Sequence, residues 1–292
     1  MKKLMITGIS GLLGYALAKY FQADWQITGT FLTHKISWPN IHTIPIDLTQ
    51  YAEVKSIFKQ FQPDAIIHTA ALTSPNQCQM QPDKSYSINV KNAEYIASLS
   101  HEFEIPCVFT STDLVFDGQH APYVETDEAL PLNLYGEHKL LAESRMRQIY
   151  PYVTICRLPL MYGTTNHSAQ SFVQPIIQAM HNHQPLSLFI DEFRTPVSTT
   201  TIAQGIAIAL NYKGEIFHLG GHERISRYEL GVLIQNIIGQ KDAWLIPCQQ
   251  KDIASMAPRP QNVSFNSAKA YQYGYRPPPL AEDLKKLFGN LH

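Results

Sequence analysis

No stretch of this chain reaches the ~20 consecutive apolar residues that a bilayer crossing needs, so a membrane-spanning segment is not expected. A secretory leader is not expected either, because the apolar start already reads as a strand. Cysteine is sparse: Cys78, Cys107, Cys156 and Cys248 are scattered, without a Cys-x-x-Cys pair. That usage fits a reduced, cytoplasmic setting. Cys107 and Cys156, set in strand-like apolar runs, read as small core residues. Neither charge sign is in surplus. Lys+Arg 23 against Asp+Glu 24 leaves −1, which argues against nucleic-acid binding by bulk electrostatics but leaves room for a local basic pocket. A metal site is not indicated, since His181 and His183 lie two apart, off a common helix face, with no carboxylate cluster beside them. Internal repeats and low-complexity linkers are missing too. What is present is 292 residues with 45% hydrophobic content, enough for one large domain or a main domain with a smaller companion.

The chain opens on Leu4-Met5-Ile6 and continues Thr7-Gly8-Ile9-Ser10-Gly11-Leu12-Leu13-Gly14. It reads as a buried strand turning into a helix near Leu12. Glycines at 8, 11 and 14 allow a tight turn, a bare backbone facing a phosphate, and close helix–strand packing. N–H groups at the helix start suit a pyrophosphate. The spacing is Gly-x-x-Gly-x-x-Gly, so an ordinary strand-to-helix connection is the competing reading.

After a helix to about Phe21, strands are expected at Trp25–Phe31, Thr43–Ile46, Asp64–Thr69, Pro106–Thr110 and Val153–Arg157. Helices fall between them: one capped by Thr49 and running to about Phe61, a long one from Asp83 to Glu102 carrying Asn89, and one from Leu134 to about Gln148 after Pro131. This alternation predicts a doubly wound parallel α/β sheet with ligands at the carboxyl ends of its strands. The alternation stops after Leu158–Gly163. Helices are then expected near Ser171–His181, Thr200–Asn211, Arg227–Ile238 and Leu280–Phe288, with an apolar segment at Leu186–Ile190. We expect residues 1–160 to bind a dinucleotide and 161–292 to form a smaller substrate lobe. Parts of 195–220, namely Thr195–Val197 and Gly214–Leu219, should return to the main sheet or its rim.

Three local patterns bear on chemistry. The second strand ends without an acid for ribose hydroxyls, and Thr33-His34-Lys35 there would suit the 2′-phosphate of NADP, unless they are only a solvated loop. His68, inside an apolar strand, reads as a core histidine. Tyr135 and Lys139 are four apart and share a helix face.

Taken together, Thr7-Gly8-x-x-Gly11-x-x-Gly14, Ser111-Thr112-Asp113-Leu114-Val115-Phe116-Asp117-Gly118, Pro131-Leu132-Asn133-Leu134-Tyr135-Gly136-x-x-Lys139 and the late Arg259-Pro260 resemble the extended short-chain dehydrogenase/reductase family. Within it the chain is similar to the dTDP-4-dehydrorhamnose reductases and their relatives. The resemblance covers almost the whole chain. It implies a Rossmann-type fold, with NADPH or NADH reducing a nucleotide-linked 4-keto-6-deoxy sugar. Tyr135 would be the proton donor, with its pKa lowered by the Lys139 ammonium. Lys139 would also hold the nicotinamide ribose, and Thr112 would bond the substrate oxygen. Gly8, Ser10, Gly11, Leu12, Leu13 and Gly14 would line the pyrophosphate. Asp47 and Leu48 would sit by the adenine, Ala70 and Ala71 on the adenosine side of the nicotinamide, and Pro159 by its amide. For Asp47 a turn or capping role remains an equal reading.

The same resemblance places Thr73, Asp113, Leu114, Arg194 and Arg259 at the substrate, with Arg224 and Arg227 as weaker cations for a diphosphate. Surface salt bridges are the competing role for these arginines. Leu114 departs from two patterns. Dehydrating relatives carry an acid there and rhamnose-forming reductases usually a tyrosine, so dehydration is disfavoured and the particular sugar stays open. Other readings are an epimerase, a reductase of another carbonyl compound, or a non-catalytic regulatory subunit like the beta subunit of methionine adenosyltransferase. The resemblance also points to a homodimer paired through helices, including the one bearing Tyr135.

Overall fold

The computed structural model describes residues 1–36, 38–164, 169, 171–240 and 244–290. Six strands in sequence order, β1 (Lys2–Thr7), β2 (Trp25–Phe31), β3 (His42–Pro45), β4 (Ala65–His68), β5 (Cys107–Thr112) and β6 (Thr154–Leu158), join a seventh, Ile216–His218, in one sheet. Every pairing is parallel, and the spatial order is Ile216–His218, β6, β5, β4, β1, β2, β3. The order reverses between β1 and β4. A ligand crevice is expected outside the strand ends at that point.

Alternation along the buried strands sorts side chains to the two faces. Leu4 and Ile6 of β1 pack with Leu13 and Leu17 of helix α1 (Leu12–Phe21) and with Ile202 and Ile206 of the helix Thr199–Ala209. Met5 points the other way, into a cluster with Phe58 of helix α2 (Tyr51–Phe61), Ile96 of the helix Asn92–Glu102, and Ala142 and Met146 of the helix Leu134–Ile149. A further apolar cluster joins Val173, Ile177, Leu230, Ile234, Leu284 and Phe288, from three later helices, to Tyr162 of the short strand Met161–Tyr162. Each fully buried Leu or Ile contributes about 1.5–3 kcal/mol, so those helices are held by their own apolar faces and not by the sheet.

Several expected boundaries shift. Thr49 does not cap α2: its N–H and hydroxyl are both bonded to Asp47 Oδ1, at 2.9 and 2.8 Å, and the helix starts after Gln50 with no side-chain cap. The long helix is three segments, Pro82–Tyr86, a wider π-helical turn at Ser87–Lys91, and Asn92–Glu102. Gly214–Leu219 enters the main sheet through Ile216–His218, beside β6. Thr195–Val197 does not: Val197 pairs with Met161 in a separate two-stranded ribbon.

Candidate active site

The crevice at the switch point opens into a cavity of about 1060 Å³ that runs from the α1 loop to the loops after residue 190. Its first wall is mostly backbone. The Thr7 hydroxyl accepts N–H bonds from Thr69 (3.1 Å) and Ala70 (3.3 Å) and lies 2.7 Å from His68 Nδ1, which ties the ends of β1 and β4 together. His68 is thus a core histidine held through Nδ1, while its buried Nε2 meets no partner among the described residues. Burial, helped by the Lys139 charge, pushes its pKa down to about 3, so it stays neutral. Gly8 has φ +71°, and a Cβ there would stand 2.9 Å from the Ala70 Cα. At Gly14 a Cβ would fall 2.2 Å from the Gly8 carbonyl oxygen, so α1 can sit this low on the loop only with glycine. The α1 N-terminus carries no side-chain cap, and Ser10 to Gly14 line the cavity. A bare cradle at a helix N-terminus fits a pyrophosphate. Asp47, Leu48, Ala70, Ala71, Pro159 and Thr33 line the same space, and Asp47 combines this position with its turn role. His34 and Lys35 do not line it; both are exposed on the loop beyond Thr33.

The reactive wall is the start of the helix Leu134–Ile149. Asn133 caps it, with Oδ1 accepting the Gly136 N–H at 3.0 Å, while Nδ2 donates to the Pro258 carbonyl at 3.0 Å. A Cβ on Gly136 would lie 2.1 Å from the Leu114 carbonyl oxygen, so the turn after β5 presses directly on this helix. That contact brings Thr112 beside Tyr135 at the cavity, where Thr112 donates to Asp113 Oδ1 at 3.1 Å. Tyr135, Lys139 and Glu143 follow one another at four-residue steps on one face. Lys139 Nζ lies 3.8 Å from the Phe109 ring centroid, and Glu143 is ion-paired with Arg157 at 2.8 Å. Opposite, the wide turn holds Asn89, which accepts from the Leu72 N–H (2.9 Å) and donates to its carbonyl (3.1 Å), fixing Ala71 to Thr73 at the cavity edge.

The electrostatics differ from the sequence expectation. Burial raises the Tyr135 pKa, and the nearby Asp113 raises it further; only the neighbouring Thr112 hydroxyl opposes. Lys139 does not lower it. Burial instead brings Lys139 itself down to about 7, against the pull of Glu143. Removal from water disfavours phenolate and ammonium alike, so the pair is set as a neutral phenol beside an amine that gains a proton near neutrality.

The far wall is charged. Arg194 is buried among partners: Nε lies 3.3 Å from Asp113, Nη2 lies 3.4 Å from Glu192, and Nη1 donates to the Phe193 carbonyl at 2.8 Å. Glu192, 1% exposed, also meets Arg227 at 2.8 Å and Arg259 at 3.7 Å. Burial works against its charge, but Arg227 and Arg194 hold the carboxyl below the usual range. Thr73, Asp113, Leu114, Arg194 and Arg259 all reach the cavity, as does Arg227; Arg224 instead lies over the Phe193 ring, outside the lining. Sequence reasoning missed Glu192, which carries no signal beyond its place in Asp191–Pro196. Asn89 was noted without a role, and an asparagine in mid-helix, where it is a poor helix former, was the available clue.

The family model described as "RmlD substrate binding domain" matches residues 1–292. The spore coat polysaccharide biosynthesis protein SpsK of Bacillus subtilis is 28% identical over 98% of this chain and 96% of its own length. The methionine adenosyltransferase 2 subunit beta of Xenopus laevis is 28% identical over 94% of this chain and 83% of its own. Among solved structures, a dTDP-4-dehydrorhamnose reductase from Clostridium acetobutylicum superposes with a TM-score of 0.85 at 27% identity, covering 99% of both chains.

Proposed function

Because the chain belongs to the RmlD substrate binding domain family, we propose that it is an NAD(P)H-dependent oxidoreductase that reduces the keto group of a nucleotide-linked 4-keto-6-deoxy sugar, in the manner of a dTDP-4-dehydrorhamnose reductase. The observation that carries this reading is the convergence of Tyr135, Thr112 and Lys139 on the same cavity as the bare α1 loop. The bound nicotinamide supplies the hydride to the carbonyl carbon. The chain supplies the rest. Thr112 bonds the carbonyl oxygen and holds it against Tyr135. As charge develops on that oxygen the phenol O–H breaks and its proton passes to it, giving the alcohol. The phenolate left behind takes a proton from the Lys139 ammonium, which water then restores. Burial that keeps Tyr135 protonated stocks the form that reduction consumes.

In this reading Gly8 to Gly14, Thr33, Asp47, Leu48, Ala70, Ala71 and Pro159 hold the cofactor, and Thr73, Asp113, Leu114 and Arg259 face the sugar nucleotide. Residues 1–160 serve the dinucleotide and 161–292 the substrate. Homodimerisation through helices including Leu134–Ile149, and a cytoplasmic setting suited to the unpaired cysteines, complete it. A purely regulatory role like that of the methionine adenosyltransferase relative has no use for a phenol aimed into the crevice. Loss of NADPH absorbance with a panel of keto sugar nucleotides tests the proposal. Turnover is expected with a 4-keto-6-deoxy nucleoside diphosphate sugar; binding of NADPH with no turnover on any member would sink it.

A further inference from the structure

The charged wall contains three arginines, and they are not equivalent. Arg194 has its guanidinium enclosed by Asp113, Glu192 and the carbonyls of Phe193 and Pro260, the last at 3.5 Å. Those contacts link the turn after β5 to the 190s loop and engage all three of its nitrogens. Arg227 is arranged differently. Its Nε donates to Glu192 Oε1 at 2.8 Å, and its main-chain N–H donates to the Glu192 carbonyl at 3.1 Å. Among the described residues its two terminal amino groups have no acceptor. The guanidinium lies 5.1 Å from the centroid of Phe172, and Phe172, Arg227 and Arg259 all line the cavity.

The local chain explains this placement. Ile225–Ser226 pairs antiparallel with Phe193–Arg194, so the strand carrying Arg194 delivers Glu192 to the residue that opens the helix Arg227–Ile238. Ser226 and Glu229 form a capping box there, fixing the backbone from which Arg227 projects. Arg259 completes the set. It is 37% exposed and meets Glu192 only at 3.7 Å. Two carboxylates, Asp113 and Glu192, thus face three guanidiniums, which leaves one cationic charge unmatched on a wall that opens to the cavity.

We propose that Arg227, oriented by the buried Glu192, binds the phosphoryl oxygens of the sugar nucleotide together with Arg259, while Arg194 serves as an internal tie. Arginine with one edge held and the other open presents two parallel N–H donors, the geometry that suits a diphosphate. Glu192 is a positioning residue in this arrangement. The proposal rests on the sugar-nucleotide reading above and specifies which cation meets the diphosphate.

Titration calorimetry with dTDP, UDP and dTMP, in the presence of NADPH, tests it on the full chain. Arg227→Gln should weaken binding of the preferred nucleoside diphosphate by about tenfold or more, affect dTMP less, and leave NADPH affinity unchanged. Arg227→Lys keeps the charge without the paired donors and should recover part of the loss, which also covers the case in which the glutamine variant fails to fold. Wild-type affinity for the diphosphate in the lysine and glutamine variants alike would overturn the assignment of Arg227 alone. A wild-type protein that binds NADPH but neither diphosphate would overturn the sugar-nucleotide reading and this proposal with it.

Discussion

The two ends of the cavity are built from opposite materials. At the α1 end, glycines and main-chain N–H groups form the surface, and the few polar side chains, such as Thr7, are spent on joining strands. At the far end, charged side chains from four separate segments (113, 192–194, 227 and 259) pair across the wall, with one cation in excess. A backbone cradle takes its shape from local chain geometry and accepts any ligand carrying that phosphate. A wall of paired charges takes its shape from tertiary contacts and can be altered residue by residue. In the proposed reading the first end serves the cofactor, and the second is where a particular substrate is chosen.

The sharpest test of the contrast lies between the two ends, at the reacting group. Tyr135→Phe should lower kcat by about 10²–10⁴-fold while leaving the Kd for NADPH nearly unchanged, measured by steady-state turnover and cofactor fluorescence. Equal loss of cofactor affinity would mean that the phenol belongs to the cradle.

Lys139→Met should abolish activity but stabilise the fold at neutral pH by about 1–4 kcal/mol, since it removes a buried amine that folding must deprotonate. The sign follows from linkage. The folded pKa of about 7 lies below the free value of 10.5, so the native state carries the penalty at low pH. Its cost is absent above about pH 10.5 and grows as pH falls toward 7, below which it is constant. Denaturant melts between pH 7 and 10 should therefore show wild-type stability rising with pH and the variant losing that slope. An unchanged slope would place the proton elsewhere.

Gly14→Ala probes the cradle by steric overlap. The added methyl meets the Gly8 carbonyl oxygen, so a loss of about 1–3 kcal/mol in thermal or denaturant unfolding is expected, with weaker NADPH binding and no direct effect on the charged wall. The smallest difference concerns the cofactor itself. The strand β2 end offers Thr33 and no carboxylate to the cavity, so NADPH should show a KM lower than that of NADH by about tenfold, or about 1.4 kcal/mol. A preference for NADH of that size would remove the 2′-phosphate from the reading.

The same contrast explains what could be read in advance. The parallel sheet and the pairing of Tyr135 with Lys139 rest on periodicities and spacings of a few residues, and these are local. Thr112 was legible for a related reason, standing at the end of a recognisable strand. Thr49 was misjudged because Asp47, two residues away, competes for the same hydroxyl. His34 and Lys35 were offered for their chemistry, but their exposed loop turns past the lining. The direction of the Tyr135 shift was misread because the spacing to Lys139 is visible in sequence whereas burial is not. Glu192 and the division of labour among the arginines depend on contacts spanning up to 81 positions, such as Arg194 with Asp113, and no short motif encodes them.

One contact spans farther still. Asn133 uses one end of its amide to begin the tyrosine helix and the other to seat the carbonyl of Pro258, 125 residues downstream. A nascent polypeptide that ends at residue 200 carries six of the seven strands of its central sheet, yet the start of the helix bearing Tyr135 lacks its distant anchor. The anchor of the tyrosine helix is thus completed late in synthesis, when the last segments close over the middle of the chain.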